Sequence, residues 1–236
     1  MAAPLNARAA DTTQWETNAE RDSAQREQRA RDQLLCDKGK RQSPIDIVET
    51  RKQNLPAIVF RYRAAPLRLV NDGHTVRVRF ANGSEFQLGK ERFALQQAHF
   101  HAPGGDKVRG EAFPLAAHLL HKGSDGRLTV IVVLFRLGGG NTAFDKLLEK
   151  IPARTAGEQT LADNSVNVAE FLPAAHGYYA YDGSLTGPPC TEGVRWMVLK
   201  QPLEVSAGQL ARYRSLFRDN ARAVQPLHGR EVQESL

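Results

Sequence analysis

The sequence predicts a mainly β protein with a few short helices, and three observations carry this prediction. From Ile58 to Leu88 apolar and polar residues alternate with a period of two, which is typical of strands with one buried and one solvated face. Leu128 to Phe135 is a continuous apolar run, which indicates a strand buried on both faces. The chain has 236 residues, 41% of them hydrophobic, so it can bury one such core as a single globular unit.

The first element in chain order is a helix. Residues Trp15 to Leu35 are rich in Glu, Arg, Gln and Ala and contain neither Pro nor Gly, so they predict a helix that is polar on nearly every side. A helix of this kind is marginal alone, and we expect it to pack on the body or on another chain. We therefore divide the sequence into an N-terminal arm, residues 1–35, and one domain, residues 36–236.

Strands dominate the domain and helices lie at its periphery. The alternating region divides at turn residues into strands at Val59–Arg63, Leu67–Val70 and Thr75–Phe80, then a turn at Ala81–Gly83 and a strand to Leu88. Short helices are predicted at Phe144–Lys150 and Ser206–Phe217, the second capped by Ser206.

Composition argues against several classes of function. The formal net charge of +6 could suggest a nucleic-acid partner, but the basic residues are dispersed and no nucleic-acid motif is present, so we interpret them as solvated surface. No run approaches the ~18 apolar residues of a membrane span. The segment Met1–Arg8 lacks the apolar stretch of a secretory signal, which would have been removed from an exported chain.

The strongest chemical signal is the run from Gln97 to His101 together with His118. In a strand alternate side chains share a face, so His99 and His101 project together, and a neighbouring strand can bring His118 beside them. Three imidazoles with no comparable fourth ligand predict a zinc site completed by water, the open arrangement of a catalytic metal. A lone His-x-His pair is more often incidental, so the interpretation depends on the motifs around it.

Four further segments stand around the histidines in a fixed order: Gly39–Ile47, Asn71–His74, Tyr178–Trp196 and Val224–Arg230. Together with the histidines they resemble the α-class carbonic anhydrases, from about Cys36 to Arg230. The resemblance implies a large, twisted, mostly antiparallel central sheet with zinc at the bottom of a conical cavity. It also implies reversible hydration of carbon dioxide to bicarbonate and a proton.

The resemblance assigns roles residue by residue. His99, His101 and His118 match the zinc ligands, and Gln97 matches the hydrogen-bond partner of His99. Thr186 matches the threonine that orients the attacking hydroxide, and His74 matches the histidine that relays the proton, for which the imidazole is the natural group near neutral pH. The residues that fall where the family builds its apolar carbon dioxide pocket are Leu120, Val130, Leu185, Val194 and Trp196.

The two cysteines, Cys36 and Cys190, give little information alone, because two free buried thiols are the default in a cytosolic protein. In secreted and periplasmic members of the family, cysteines at these two places are bridged. The resemblance therefore implies a disulfide that pins the N-terminal arm to the loop of Thr186, and a periplasmic or secreted protein.

The sequence departs from the family's pattern near the predicted metal. Gly105 stands where the family has the glutamate that accepts the proton of the orienting threonine, and Ala116 stands where it has the carboxylate that holds the third zinc histidine. Such partners contribute about 10–100-fold in metal affinity or activity. Arg77, Asp72 and Gly187 also differ from the usual residues of the cavity wall.

Two hypotheses follow from these departures. In the first, the chain is a zinc carbonic anhydrase whose activity the lost carboxylates reduce, or whose cavity serves another electrophile or an anion attracted by Arg77. In the second, it is a catalytically weak zinc-binding relative with a binding or assembly role, whose N-terminal helix is a contact surface or dimer element. The three retained ligands favour the enzyme.

Overall fold

The structure is a computed structural model that describes residues 25–31, 33–80 and 83–236. Residues 25–31 and 33–38 are helical (α1), which confirms the C-terminal part of the predicted N-terminal helix; the part from Trp15 to residue 24 lies outside the described residues. Residues 81 and 82 of the predicted turn lie outside them too. No helix in the described ranges is long and apolar enough to cross a membrane.

Strands are the most abundant regular element of the described chain, as the sequence predicts. In chain order they are β1 Asp46–Ile47, β2 Arg51–Gln53, β3 Ile58–Arg61, β4 Ala65–Asn71, β5 Val76–Arg79, β6 Glu85–Leu88, β7 Glu91–His101, β8 Lys107–Val108, β9 Glu111–Ala112, β10 Leu115–Gly123, β11 Leu128–Leu137, β12 Ala156–Val166, β13 Tyr178–Ser184, β14 Glu192–Leu199, β15 Leu203–Val205 and β16 Gln233–Ser235.

One large sheet holds most of these strands. Its main path runs β12, β4, β5, β7, β10, β11, β14, β13, β16, β2, with β15 attached to β11 and the β3–β6 pair attached through β6 to β7. Pairing is antiparallel except between β11 and β14, β11 and β15, and β16 and β2. A small sheet of β1, β8 and β9 completes the described strands.

β11 separates two apolar cores, which explains its largely apolar sequence. Alternate residues face opposite sides of the strand: Ile131 and Val133 pack in the larger core, while Val130 and Val132 pack in the smaller one. The smaller core lies on the side of the sheet that carries Trp196. A strand buried on both faces has no solvated positions at which polar residues would be favoured.

Each peripheral α-helix begins after a residue whose side chain caps it, and Ser206 is the cap that the sequence predicts. α2 (Thr142–Leu148) begins after Asn141, whose side chain accepts from Phe144 N at 2.9 Å. α3 (Ala207–Leu216) begins after Ser206, which forms a capping box with Gln209 and thereby satisfies two of the free donors at this end. A short 3-10 helix spans Val168–Phe171. Both predicted α-helices are confirmed, with bounds shifted by one or two residues.

The disulfide between Cys36 and Cys190 is present, with an S–S distance of 2.11 Å and 154 residues of sequence separation. Neighbouring hydrogen bonds hold the same region together: Gln42 Nε2 donates to the Cys190 carbonyl at 3.2 Å, and the Arg222 guanidinium donates to the Cys36 carbonyl. The bridge thus joins the end of α1 to the loop between β13 and β14.

We predict that the bridge stabilises the fold without contributing to the metal site. Closing so long a loop restricts the unfolded chain, and the chain-entropy account gives about 3–5 kcal/mol. Replacing both cysteines by serine should lower the free energy of unfolding in urea by that order while zinc stoichiometry stays unchanged. Mass measurement after alkylation is the control, because two freely alkylating thiols in native, oxidised protein would contradict the bridge.

Candidate metal centre

The three histidines of the predicted site come together on two paired strands. His99 and His101 lie on β7, and His118 lies directly opposite His99 on β10. One ligand nitrogen from each ring lies within 4.8 Å of the others. The ring centroids of His101 and His118 are 4.6 Å apart, and that of His99 is 5.0 Å from the first and 5.2 Å from the second.

The hydrogen bonding of the His101 ring leaves one nitrogen available to a metal. Nδ1 of His101 lies 2.9 Å from the Asn220 carbonyl, which can only accept, so Nδ1 carries the proton and Nε2 keeps its lone pair. That Nε2 is buried without a partner, and one nitrogen from each of the other two rings lies within 4.8 Å of it. Buried nitrogens that lack partners are costly unless something satisfies them, and imidazole nitrogens are ligands that zinc prefers. The residues therefore fit a zinc ion.

Burial keeps the three rings neutral. Removal from water lowers the pKa of His99 and His118 well below the ordinary value of 6.5 and that of His101 to about 4. The physical cause is that a charged imidazolium loses hydration in the interior. A metal ligand must be deprotonated, so the lone pairs are available at neutral pH.

The histidines form the floor of a cavity of 420 Å³ that is apolar on one wall and polar on the other. The apolar wall consists of Leu120, Val130, Leu185 and Trp196. Trp196 packs edge-on to His118 at 5.0 Å between ring centroids. Val194, the fifth predicted pocket residue, is buried in the smaller core with Trp196 and does not line the cavity.

Thr186 and Gly187 line the cavity from the loop between β13 and β14. Two backbone hydrogen bonds close this loop, from Leu185 N to the Thr191 carbonyl and from Cys190 N to the Gly187 carbonyl, both at 2.9 Å. Their effect is to fix the backbone on either side of Thr186.

Asp106 does not take the place of the glutamate missing at Gly105. Its Oδ1 accepts from Ile45 N at 3.0 Å and from the Tyr181 hydroxyl at 2.8 Å, and its Oδ2 is buried without a partner. Burial raises the pKa of this carboxyl to about 6, against the lowering effect of those two hydrogen bonds. Neither oxygen therefore pairs with Thr186.

The polar wall near the cavity mouth is a turn organised by Asp72. Its Oδ1 accepts from the backbone of His74 at 2.9 Å and of Thr75 at 2.8 Å, and its Oδ2 pairs with Arg77 at 2.7 Å. Burial favours the neutral acid, but these hydrogen bonds and the Arg77 charge together lower the pKa of Asp72. The carboxylate partly offsets the charge of Arg77, so the predicted attraction of an anion by that arginine is weakened.

His74 lines the cavity at this turn, with its ring centroid 6.4 Å from that of His101. Gln97 also lines the cavity, but it does not pair with the buried Nδ1 of His99, which has no hydrogen-bond partner. The structure thus brings the predicted ligands, relay and loop residues to one cavity, while the expected support of His99 by Gln97 is not formed.

Sequence reasoning missed Asn220. Its side-chain Nδ2 donates to the His74 carbonyl at 2.9 Å, its Oδ1 accepts from Ala102 N at 2.8 Å, and its own carbonyl pairs with His101. Asn220, in the segment that follows α3, therefore connects the turn of His74 to a metal ligand. A single asparagine in a loop carries no motif, so no signal in the sequence marks it.

Three neutral imidazoles at the floor of a half-apolar cavity define a metal-dependent hydratase or hydrolase site, and comparisons with known proteins specify its class. The model of the eukaryotic-type carbonic anhydrase family matches residues 25–236. The carbonic anhydrase of Pectobacterium atrosepticum is 36% identical over 233 residues, covering 98% of this chain and 95% of that protein. This chain belongs to the α-class carbonic anhydrase family, a family of zinc-dependent lyases.

Solved structures agree with this assignment. The α-carbonic anhydrase of Thermovibrio ammonificans, in complex with the inhibitor sulfanilamide, has a TM-score of 0.82 and 38% identity over 86% of this chain and 90% of that chain. Dioscorin complexed with ascorbate has a TM-score of 0.79 and 31% identity over 87% of this chain and 90% of that chain. The fold is therefore shared with both an inhibited enzyme and a protein bound to a different small molecule.

We predict that the protein binds one zinc ion per chain through the three histidines. His101→Ala removes the imidazole ring whose tautomer Asn220 fixes, and with it one ligand nitrogen. The variant should therefore lose stoichiometric zinc, as measured by metal content after dialysis. His176→Ala, which changes an exposed histidine packed on Phe60, is the matched control and should retain one zinc. Full zinc content in the His101 variant would show that this ligand assignment is wrong.

Proposed function

We propose that this protein is a zinc-dependent carbonic anhydrase that catalyses the reversible hydration of carbon dioxide to bicarbonate and a proton. The observation that carries the proposal is the set of three neutral imidazoles on β7 and β10, which open into a cavity with one apolar wall. Zinc bound by such a set lowers the pKa of a bound water to about 7 and so supplies a nucleophile at neutral pH.

The apolar wall holds the substrate. Carbon dioxide is small and carries no net charge, so Leu120, Val130 and Leu185 can bind it beside the histidines without offering competing polar groups. Trp196 closes the wall next to His118, and its indole Nε1 donates to the Ser184 carbonyl at 3.0 Å, which fixes the ring. Val194 supports this wall from behind, in the smaller core.

Thr186 orients the attacking group. The residue lines the cavity in a loop whose backbone is fixed, so its hydroxyl can accept one hydrogen bond in a constant direction. For that role the hydroxyl must donate its own proton elsewhere, and Gly105 provides no acceptor. We therefore propose an activity below that of relatives that keep the glutamate.

His74 carries the proton from the site to solvent. It is exposed at the mouth of the cavity, while its backbone is held by Asp72 on one side and Asn220 on the other. A fixed backbone with a free ring lets the imidazole move between the cavity and water. Histidine suits the step because it can both accept and release a proton near neutral pH.

We also propose that the protein works in an oxidising compartment, the periplasm or the outside of a cell. The Cys36–Cys190 disulfide supports this location, since such bonds rarely persist in a reducing cytosol. The dimer expected from the polar N-terminal helix stays a prediction that sedimentation analysis would test.

The hydration reaction gives the decisive test, with Thr186→Val as its probe. Zinc-loaded parent should hydrate carbon dioxide in rapid-mixing assays, and loss of one oriented hydrogen bond to a charged group should lower kcat/KM by about tenfold or more. Thr191→Val, an exposed change in the same loop, is the matched control and should leave the rate unchanged. If the folded, zinc-loaded parent shows no turnover, this proposal is wrong and the hypothesis of a catalytically weak zinc-binding protein takes its place.

The proton relay makes a separate prediction. His74→Ala should lower kcat while kcat/KM stays close to that of the parent, because substrate binding and conversion precede proton release. Imidazole added to the buffer should restore kcat, since it supplies the missing acceptor. Equal losses in kcat and kcat/KM, or no rescue by imidazole, would contradict this role for His74.

A further inference from the structure

Two polar atoms near the metal centre lack partners, and their chemistry is complementary. Nε2 of His118 and Oδ2 of Asp106 are both buried without a hydrogen bond, in residues that are 3% and 1% exposed. The first can carry a proton and the second can accept one. Native proteins rarely leave such groups unpaired, because each loses its hydrogen bonds to water on burial and gains none in return.

A metal-binding histidine needs an acceptor for its second ring nitrogen. Such histidines almost always donate that N–H to a carboxylate, a carbonyl or a water, which fixes the ring and its tautomer. His101 has this support from the Asn220 carbonyl. For His118 the residue two positions earlier on the same face of β10 is Ala116, a fully buried methyl group that can accept nothing.

Asp106 lies over the face of the sheet that carries His118. Its carboxylate is held by Tyr181 from the sheet and by Ile45 N from the segment that covers the sheet. The Tyr181 ring stacks on Trp196 at 5.8 Å, and Trp196 packs on His118 at 5.0 Å. Ile45, Tyr181, Trp196 and Ala116 belong to the same buried core, so the two unpaired atoms share one environment.

The charge of Asp106 also requires a partner. Both of its hydrogen bonds go to Oδ1, and they come from neutral donors, a peptide N–H and a phenol. A buried carboxylate is costly unless a positive group or further hydrogen bonds compensate it. A histidine whose other nitrogen binds a divalent cation would provide a hydrogen-bond donor and a nearby positive charge.

We propose that Asp106 is a positioning residue for the metal: His118 binds zinc through Nδ1 and donates a hydrogen bond from Nε2 to one bridging water, which donates in turn to Oδ2 of Asp106. Asp106 thus acts in place of the carboxylate lost at Ala116. The inference rests on the proposed zinc site but not on turnover. It assigns to Asp106 a different task from that of the glutamate missing at Gly105, which concerns Thr186.

The test is the rate at which zinc leaves the holoprotein for an excess of chelator. Asp106→Asn keeps the Oδ1 acceptor for Ile45 and Tyr181 but places an amide where Oδ2 stood, and zinc should leave about 10–100-fold faster. The matched control is Asp46→Asn in the small sheet of β1, β8 and β9, because Asp46 also accepts a backbone N–H, from Gly110 at 3.0 Å. It should leave the rate unchanged.

A double-mutant cycle separates this role from a purely structural one. Ala116→Glu supplies His118 with a direct carboxylate, so Asp106→Asn added to it should change zinc release by less than about threefold. An equal effect of Asp106→Asn in both backgrounds, or no effect in either, would overturn the inference. Circular dichroism of each variant checks the fold.

Three further outcomes each decide a separate point. If Asp106→Asn does not fold, Ala116→Glu alone decides: a gain in zinc retention of less than about threefold supports Asp106 as the existing acceptor, and a gain of about 10–100-fold overturns it. A parent that binds no zinc would refute the metal site itself. A parent that binds zinc and responds to Asp106→Asn but lacks carbon dioxide hydration would refute only the proposed function.

Discussion

The antiparallel pairing of β7 with β10 is the constraint on which the site depends. Its register places His118 opposite His99 and Ala116 opposite His101, so the ligands meet only in this alignment. A slip of one residue would turn every side chain of one strand to the other face. The register is held by burial on both faces of β10, since Leu115, Ala117 and Leu119 belong to the larger core while Ala116 belongs to the smaller. The same apolar packing that stabilises the sheet therefore also fixes the metal geometry.

Much of this arrangement could be predicted from sequence because its signals are local. Alternation marks β4 to β6, the apolar run marks β11, and the His-x-His pair places two ligands on one face of a strand. β12 was missed because Ala156–Val166 is largely polar and its described side chains are mostly exposed, so it becomes a strand through pairing with β4. Asn220 was missed because its partners, His74 and Ala102, lie more than a hundred residues away.

The departures from the family pattern are not equivalent in physical terms. At Gly105 the backbone has φ of +85°, a conformation that favours glycine, so a glutamate placed there would strain the backbone. At Ala116 the backbone is an ordinary strand, and only the side chain has changed. The first departure is therefore built into the chain path, whereas the second is a simple truncation. The carboxylate lost at Ala116 can therefore be replaced by one that lies elsewhere in the chain, as we propose for Asp106.

The disulfide has a consequence for the order in which the protein is made. Cys36 leaves the ribosome early, all three histidines follow, and Cys190 emerges only after about four fifths of the chain. Asn220, whose carbonyl fixes the tautomer of His101, emerges later still, so neither the metal site nor the disulfide is complete before the C-terminal part of the sequence has been made. The disulfide also needs an oxidant outside the protein, so the loop of Thr186 is tied to α1 only where the surroundings are oxidising.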